Sequence, residues 1–182
     1  MRIIGGKYKG RIIGVSRNFK GRPTTDFARE SLFNILNNTV DFETISVLDL
    51  FGGSGSISFE FASRGCPSVD VVDIDFHSLK AIDEMVRKLG IKGIRTIRSD
   101  GFAYLKSCRK KYGIIFADPP FAMKELPELP ERVLHAALLE KEGRFILEHP
   151  KEYDFSGHPH IVDHRKYGNV HFSFFREIAG ND

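Results

Sequence analysis

The sequence predicts an α/β fold built on a mostly parallel sheet. From residue 45 to residue 148, short apolar segments alternate with amphipathic segments of helical length, and this order favours right-handed crossovers between parallel strands. Segment 114–117 is entirely apolar, which is typical of a strand buried on both faces. Near the C-terminus, β-favouring segments flank Tyr167-Gly168-Asn169, a pattern that predicts an antiparallel hairpin at one edge of the sheet.

An N-terminal hairpin and helix are predicted to precede this sheet. Two short β-favouring segments, 2–4 and 11–13, enclose a glycine-rich basic loop and predict the hairpin. Residues 23–26 then offer N-cap side chains for a helix over about 25–38, with Arg29 on its polar side.

We divide the chain into this extension, 1–40, and a main domain, 41–182. The predicted strands of the main domain are 45–51, 69–73, 93–97, 114–117 and 144–148, followed by the hairpin strands 160–163 and 170–175. The predicted helices are 57–65, 76–89, 100–107 and 129–139. A chain of 182 residues can bury one sizeable core, so we expect one main domain and, by default, a monomer.

The positive charge is concentrated at the N-terminus. Residues 1–22 hold seven Lys or Arg and no Asp or Glu, whereas the remaining residues hold 20 Lys or Arg against 24 Asp or Glu. A solvated charged face is the ordinary explanation of such a run. Complete segregation, with glycines and Tyr8 interleaved, instead favours an element that binds a polyanion such as nucleic acid.

Composition excludes several classes of protein. No apolar run approaches the roughly 20 residues of a membrane span, and the N-terminus lacks an apolar signal core. Cys66 and Cys108 are far apart and fit no metal spacing, so we expect reduced thiols in a cytoplasmic protein. Four histidines between His158 and His171 also fit no zinc pattern, and we expect a solvated edge without a metal.

The Asp118-Pro119-Pro120-Phe121 segment is the strongest candidate for a chemical site. Proline cannot continue a central strand, so the preceding strand must end at Asp118, at the sheet edge where open α/β folds bind ligands. Two consecutive prolines leave both of their carbonyls without a ladder partner. The carboxylate, a fixed carbonyl and the Phe121 ring then suit a planar group that bears an –NH2. The alternative is an ordinary turn in which Asp118 caps the following residues.

A glycine-rich loop follows Asp49 and opens a helix. Glycines there let the backbone approach a ligand closely. A dinucleotide fold would need a third glycine where Ser58 stands after Gly53 and Gly55, and the Gly-Lys-Ser/Thr of a phosphate-binding loop is absent. The acid before the loop suits a ligand with a cationic amino acid end better than a pyrophosphate.

Further acids follow the next two strands. Asp73, 24 residues after Asp49, can accept both ribose hydroxyls of a nucleoside, and Asp75 could compete for that role. Asp100 after the third strand could accept from an adenine amino group, although an acid in this position is more often a helix cap. Four acids at four successive strand ends together predict a ligand site.

These motifs resemble a known family. Asp49-Leu-Phe-Gly-Gly-Ser-Gly55 and Asp118-Pro-Pro-Phe121, with the acids between them, resemble the motifs of S-adenosylmethionine-dependent amino-methyltransferases. Segments 1–11 and 22–33, MRIIGGKYKGR and RPTTDFARESLF, are similar to the RsmD family of bacterial 16S rRNA guanine-N2 methyltransferases. The resemblance covers nearly the whole chain. Gly53 stands where the family usually has Ala and Asp73 where it usually has Glu, and the shorter acid could shift the ribose contacts.

The resemblance implies a Rossmann-like class I fold, with a seven-stranded sheet whose last strand is antiparallel and S-adenosylmethionine across its carboxyl edge. The cofactor-binding residues would be Asp49, Phe51, Gly52, Gly53, Ser54, Gly55, Asp73, Ile74, Asp100, Gly101 and Phe102. The catalytic residues would be Asp118, Pro119, Pro120 and Phe121. The RNA-binding residues would be Arg2, Lys7, Lys9, Arg11, Arg22, Thr24 and Arg29.

The implied reaction is methylation of the exocyclic N2 of a guanine in 16S rRNA or the small ribosomal subunit. Asp118 and the Pro119 carbonyl would orient the amino group, Phe121 would stack on the base, and the base must be unpaired or flipped out. Four residues would close the pocket over substrate: Arg22, Thr24, Asp26 and Arg29.

Three alternatives remain at this stage. An adenine-N6 DNA methyltransferase or another RNA amino-methyltransferase shares the Asp-Pro-Pro-aromatic motif, although the chain lacks a separate DNA-recognition domain. A non-catalytic nucleic-acid-binding module would tolerate a damaged cofactor loop or loss of Asp118, and neither is seen. A dehydrogenase is disfavoured by the missing third glycine.

Overall fold

The computed structural model describes residues 1–14 and 25–177, and within them one seven-stranded sheet organises the chain. Its strands are β1 (Ser46–Leu50), β2 (Ser68–Asp73), β3 (Ile94–Arg98), β4 (Tyr112–Ala117), β5 (Leu139–Pro150), β6 (Ile161–Tyr167) and β7 (Val170–Phe175). Their order is β3-β2-β1-β4-β5-β7-β6, with β1 to β5 parallel and β7 antiparallel to both of its neighbours. The predicted sheet with an antiparallel last strand is confirmed.

The helices are α1 (Asp26–Asn37), α2 (Ser56–Ser63), α3 (Phe76–Leu89), α4 (Gly101–Ser107) and α5 (Leu129–His135), with a 3-10 turn at Leu126–Glu128. The bounds predicted for α3 are confirmed because both of its ends carry clear signals. The Asp75 side chain accepts from the backbone of His77 and Ser78, and Gly90 ends the helix at a φ of +63°.

The prediction for α5 and β5 is wrong at their junction. The helix ends at His135 instead of residue 139, where Ala137 turns the chain with a φ of +52°. The strand begins at Leu139 instead of residue 144, and its register against β4 shifts between Tyr112 and Ile114. The exposed charged residues of this irregular segment look like a loop in the sequence, although they belong to a strand.

Alternate residues of the central strands pack on opposite faces of the sheet. Val47 on β1 belongs to the core formed with α1, α2 and α3, whereas Leu48 and Leu50 belong to the core formed with α4 and α5. Asp49 therefore lies on the same face as α2, which its contact with Ser58 confirms.

The N-terminal hairpin packs on the first of these faces, and its prediction is confirmed. Arg2 and Ile12 form an antiparallel bridge, and the Ile3 amide donates to the Arg11 carbonyl at 2.9 Å. Ile3 and Ile13 are buried in the same core as α1. The division of the chain at residue 40 stays a prediction.

The orientation of α1 differs from its prediction. Thr25 caps the helix, and its bounds agree with the predicted 25–38, but Arg29 is 1% exposed instead of lying on the polar side. Its guanidinium donates to the Arg2 carbonyl at 2.9 Å and to Asp26 at 2.7 Å, and lies 3.5 Å from a Glu60 oxygen. These partners from three segments hold the charge inside the fold.

Candidate active site

The strand order brings the predicted acids to one edge. The carboxyl ends of β3, β2, β1 and β4 are consecutive in the sheet, and Asp100, Asp73, Asp49 and Asp118 lie at or beside those four ends. The order in which strands are added to the sheet reverses between the parallel strands β1 and β4, since β1 leads to β2 on one side and β4 leads to β5 on the other. Open α/β sheets bind ligands in the crevice at such a switch point.

Asp49 is a buried carboxyl with few compensating partners. It is 1% exposed, and the Ser58 hydroxyl donates to its Oδ2 at 2.5 Å. Burial raises the pKa of Asp49 to about 7, the Ser58 hydrogen bond lowers it in part, and the charge of Asp73 raises it further. A cation bound beside this carboxyl would offset the free-energy cost of ionising it in a buried position.

The glycine loop is pressed against β2. Phe51 has a φ of +63°, Gly53 a φ of +52° and Gly55 a φ of +74°, so the chain makes three left-handed steps before α2 begins. The Gly52 amide donates to the Val72 carbonyl at 3.0 Å, and a Cβ at Gly52 would lie 2.2 Å from a methyl of Val71. Only glycine fits this approach. Ser54 is half-buried, with its hydroxyl near the sulfur of Met1.

Asp73 joins this loop to the start of α3. Its two carboxylate oxygens accept from the backbone of Gly53 and of Asp75, both at 2.8 Å. Each oxygen keeps a second lone pair for a ligand. Asp75 is the N-cap of α3, and its pKa is lowered by the Ser78 hydroxyl, so its side chain is committed to the helix. Ile74, between the two acids, is 67% exposed and offers an apolar surface.

Asp100 caps α4, since it accepts from the Ala103 amide at 2.9 Å. The next residue, Gly101, lies against Phe51, where a Cβ would meet the ring at 2.9 Å. Phe51 in turn contacts Phe102 edge to face at 6.3 Å. Phe51 and Phe102 form an aromatic wall that follows β1 and β3, on either side of β2, which ends at Asp73, and the Arg132 guanidinium lies 4.4 Å from the Phe102 ring centre. Such a wall is a suitable surface for a heterocycle.

The Asp118 segment follows β4 at the other side of the switch point. Asp118 is half-buried, Pro119 is buried, and the Phe121 ring is 42% exposed. The Pro120 carbonyl accepts from the Met123 amide at 2.8 Å. This bond belongs to the turn that follows Phe121, and neither proline takes part in the ladder of β4, as predicted.

Sequence reasoning missed Glu148. It follows the apolar segment of β5 and is 2% exposed. Because Ala117 pairs with Leu147, the next residues, Asp118 and Glu148, lie side by side at this edge of the sheet. A signal was available, since the predicted fifth strand, 144–148, ended in an acid, as acids stand at or beside the ends of the other four.

The predicted RNA-contacting residues fall into three groups. Arg2, Lys7, Lys9 and Arg11 are exposed on the hairpin, as a phosphate-binding element requires. Arg22 and Thr24 lie outside the described residues. The buried Arg29 is poorly placed to reach RNA, and its partners fasten the hairpin to α1 and α2.

The prediction of a solvated histidine edge is wrong for His171, whereas His158, His160 and His164 are half-buried. His171 is 7% exposed and lies 3.2 Å from His164. His149 is fully buried, bonds to Ser173 at 2.8 Å, and has its pKa lowered to about 4 by burial. Over residues 1–14 and 25–177, no three His, Cys, Asp or Glu are grouped to hold a metal ion. No helix in that same part of the chain could cross a membrane.

Comparison with known proteins gives consistent matches. The family described as Conserved hypothetical protein 95 matches residues 1–176. A relative from Bacillus subtilis, named Putative rRNA methyltransferase YlbH, is 32% identical over 158 residues, which are 85% of each chain. A relative from Escherichia coli, named Ribosomal RNA small subunit methyltransferase D, is 32% identical over 128 residues, which are 70% of this chain and 64% of that one.

Solved structures share the whole fold. The putative methyltransferase yhhF from Escherichia coli superposes with a TM-score of 0.79 at 27% identity, over 96% of both chains. A hypothetical protein from Thermus thermophilus gives a TM-score of 0.84 at 28% identity, over 97% of this chain and 99% of that one. The Thermus thermophilus 16S rRNA N2 G1207 methyltransferase in complex with AdoMet and guanosine, at 20% identity and a TM-score of 0.69, covers 87% of this chain and 45% of that one and shows the fold alone.

Proposed function

The chain belongs to the family described as Conserved hypothetical protein 95, and on this premise we propose that it transfers a methyl group from S-adenosylmethionine to the exocyclic N2 of a guanine in 16S rRNA. The fold is that of a class I methyltransferase. The observation that carries the proposal is the Asp118-Pro119-Pro120-Phe121 segment, set across the switch point from the acids of β1 and β2. Relatives named as rRNA small subunit methyltransferases support the substrate.

The residues of the glycine-loop side fit S-adenosylmethionine. Asp49, buried with a pKa near 7, suits the ammonium of its amino acid end. The free lone pairs of Asp73 suit two ribose hydroxyls, and Ile74 with the wall of Phe51 and Phe102 suits the adenine ring. When bound, the cofactor supplies a methyl group on a sulfonium, which is already a good electrophile. The protein therefore has to position and activate the nucleophile.

Asp118 would prepare the amino group for attack. The guanine N2 lone pair is delocalised into the ring, and hydrogen bonds from its two N–H groups to Asp118 and to the Pro119 carbonyl would orient it toward the methyl. The carboxylate would also stabilise the positive charge that develops on N2 as the new bond forms. Phe121 is exposed enough to stack on the base. The proton can leave after transfer, so a general base is not needed for the first step.

The basic residues would hold the RNA around the target. Arg2, Lys7, Lys9 and Arg11 are placed for phosphates, and we retain Arg22 and Thr24 as candidate contacts. We assign Arg29 to anchoring the hairpin instead of contacting RNA, because it is buried. We further propose that the protein acts as a monomer in the cytoplasm. Its two cysteines are free, as expected in a reducing compartment.

The test is transfer of labelled methyl to three substrates: unmodified 16S RNA, small ribosomal subunits from cells lacking this protein, and duplex DNA. We expect N2-methylguanine in RNA or subunits. Asp118→Ala should lower transfer by about 100- to 1,000-fold at unchanged cofactor affinity. The matched control is Asp41→Asn, at an exposed acid away from the strand ends, which should transfer normally. Label on DNA adenine would instead assign the chain to the adenine-N6 DNA enzymes.

A further inference from the structure

Helix α1 exposes an aromatic ring and buries a cation. Phe27 is 67% exposed, whereas Arg29 is 1% exposed. An amphipathic helix normally does the reverse, since burying a Phe side chain contributes about 1.5–3 kcal/mol. The contacts of Arg29 with Asp26, Glu60 and the Arg2 carbonyl account for its burial. The exposure of Phe27 calls for a separate explanation.

The Phe27 ring is held in place by a chain of aromatic contacts. It meets Tyr167 edge to face at 5.9 Å, with an interplanar angle of 80°. Tyr167 lies 5.9 Å from Phe172, which is fully buried in the core under α1. The contacts lead from the core to the surface, so one side of the outermost ring packs on Tyr167 and the rest is open to solvent. An exposed ring with this support is well suited to stack on another planar group.

This aromatic pair lies at the edge of the sheet that carries Asp118. Tyr167 pairs with Val170, and Val170 pairs with Pro150 at the carboxyl end of β5. β6 is three strand spacings from β4, or about 14 Å at the usual separation of neighbouring strands. A nucleotide close in sequence to one held at Asp118 can reach that distance.

The surroundings of the pair suit a nucleic acid. Arg165, which is 51% exposed, lies on the same face of β6 as Tyr167, and its guanidinium pairs with Asp163 at 2.8 Å. Arg2, which is exposed on the hairpin, adjoins α1, since its carbonyl accepts from Arg29 at 2.9 Å. Asp26, beside Phe27, pairs with Arg29 at 2.7 Å, which offsets its charge, whereas Glu30, one turn further along α1, is exposed. Cations beside an exposed aromatic surface are the combination that single-stranded nucleic acids bind, through phosphate contacts and base stacking.

We infer that Phe27 and Tyr167 form a stacking platform for the base of an unpaired nucleotide that flanks the target guanine. This inference rests on the proposed function, since it concerns the same RNA. It adds a second base-binding point that is separate from Phe121. The platform would hold the RNA strand on the far side of β5 while the target base enters the site at Asp118.

The test compares three replacements of Phe27 by the fluorescence anisotropy of a short fluorescein-labelled oligouridine at fixed low salt. Phe27→Ala and Phe27→Leu remove the aromatic ring, and Phe27→Tyr keeps it. We expect the Kd to rise about 5- to 30-fold for the Ala and Leu variants and to stay within about twofold for the Tyr variant. Cofactor affinity, measured by calorimetry on each variant, should be unchanged and shows that the fold is intact.

Three results would overturn the platform. The first is an unchanged Kd in Phe27→Ala. The second is full retention by Phe27→Leu, which would point to an apolar contact such as one with a protein. The third is the absence of oligouridine binding by the unaltered protein. Failure of the proposed function is read separately, from methyl transfer to ribosomal subunits by the unaltered protein. That transfer can succeed while the platform fails.

Discussion

Two buried aspartates on neighbouring strands, Asp49 and Asp70, have opposite electrostatic environments. They occupy neighbouring positions on the paired strands β1 and β2, because Leu48 pairs with Asp70 and Asp49 pairs with the next residue, Val71. Each aspartate is 1% exposed. Burial alone would raise the pKa of both carboxyls. The pKa of Asp49 rises to about 7, whereas hydrogen bonds outweigh burial at Asp70 and lower its pKa.

The difference lies in the partners of each carboxylate. Asp70 accepts two hydrogen bonds from Arg95 at 2.9 and 3.0 Å, one from Lys110 at 2.9 Å and one from the Tyr112 hydroxyl at 2.8 Å. Asp49 accepts from Ser58 and has Asp73 as a charged neighbour of the same sign. The protein's own side chains thus compensate the charge of Asp70, and we propose that a cofactor ammonium compensates the charge of Asp49.

Asp70→Asn should cause the largest loss of stability. Breaking a buried ion pair typically costs about 3–5 kcal/mol. Because Arg95 and Lys110 are 64% and 36% exposed and can be rehydrated, we expect the lower end, about 3 kcal/mol. Urea denaturation at neutral pH measures the loss, and cofactor affinity of the folded variant should not change. A loss of cofactor affinity in Asp70→Asn as large as the loss in Asp49→Asn would remove the contrast between the two acids.

The same hydrogen bonds of Asp70 make the stability of the protein fall at low pH. The pKa of Asp70 is lower in the folded state than in the unfolded state, so its stabilisation is present above the unfolded value of 3.8 and is lost as the pH falls below it. Tyr112→Phe removes the hydrogen bonds of the hydroxyl with Asp70 and with Tyr104 and keeps the ring. It is the milder control and should cost about 2 kcal/mol.

Asp49→Asn should weaken cofactor binding about 10- to 150-fold at pH 8, the cost of one charge-assisted hydrogen bond. It should also stabilise the free protein by up to about 4 kcal/mol at that pH. Because the folded pKa is raised, the charge costs stability progressively as the pH rises from about 4 to about 7, and asparagine avoids this cost. Calorimetry and urea denaturation measure the two effects. A destabilised Asn variant with normal cofactor affinity would make Asp49 structural, like Asp70.

Ser58→Ala should give the smallest effect. Loss of its hydroxyl removes a hydrogen bond that lowers the pKa of Asp49, so the carboxyl should titrate at a higher pH. We expect cofactor affinity at pH 7 to fall a few-fold and the stability to change by less than about 1 kcal/mol. The control is Ser63→Ala on the same helix, where the hydroxyl contacts the N-terminal hairpin instead. Equal losses of affinity in both variants would point to a general effect on α2.

The acids at the carboxyl ends of the strands could be predicted from the sequence because nearby residues show where each strand ends. Pro119 ends β4, glycines follow β1, and Asp73 ends β2, so the acids at these points meet wherever the strands are parallel. The ends of α3 could be predicted for the same reason, from Asp75 and Gly90. These signals act within a few residues of the chain.

Other features depend on partners far away in the sequence. Helical spacing cannot show that Arg29 is buried, because Glu60 and the Arg2 carbonyl come from other segments. The contact of Phe27 with Tyr167 likewise joins residues that lie far apart along the chain. The burial of His171 follows from the central position of β7, between β5 and β6, and local sequence carries no sign of that order.

The most direct test of the proposed role of Asp49 is proton release on cofactor binding. Calorimetric titration with S-adenosylmethionine at pH 6, in two buffers of different ionisation enthalpy, counts the protons exchanged. A carboxyl with a pKa near 7 that becomes ionised beside an ammonium should release about 0.9 of a proton, and Asp49→Asn should release none. Binding without proton release by the unaltered protein, or equal release by Asp49→Asn, would contradict the assignment of Asp49 to the cofactor.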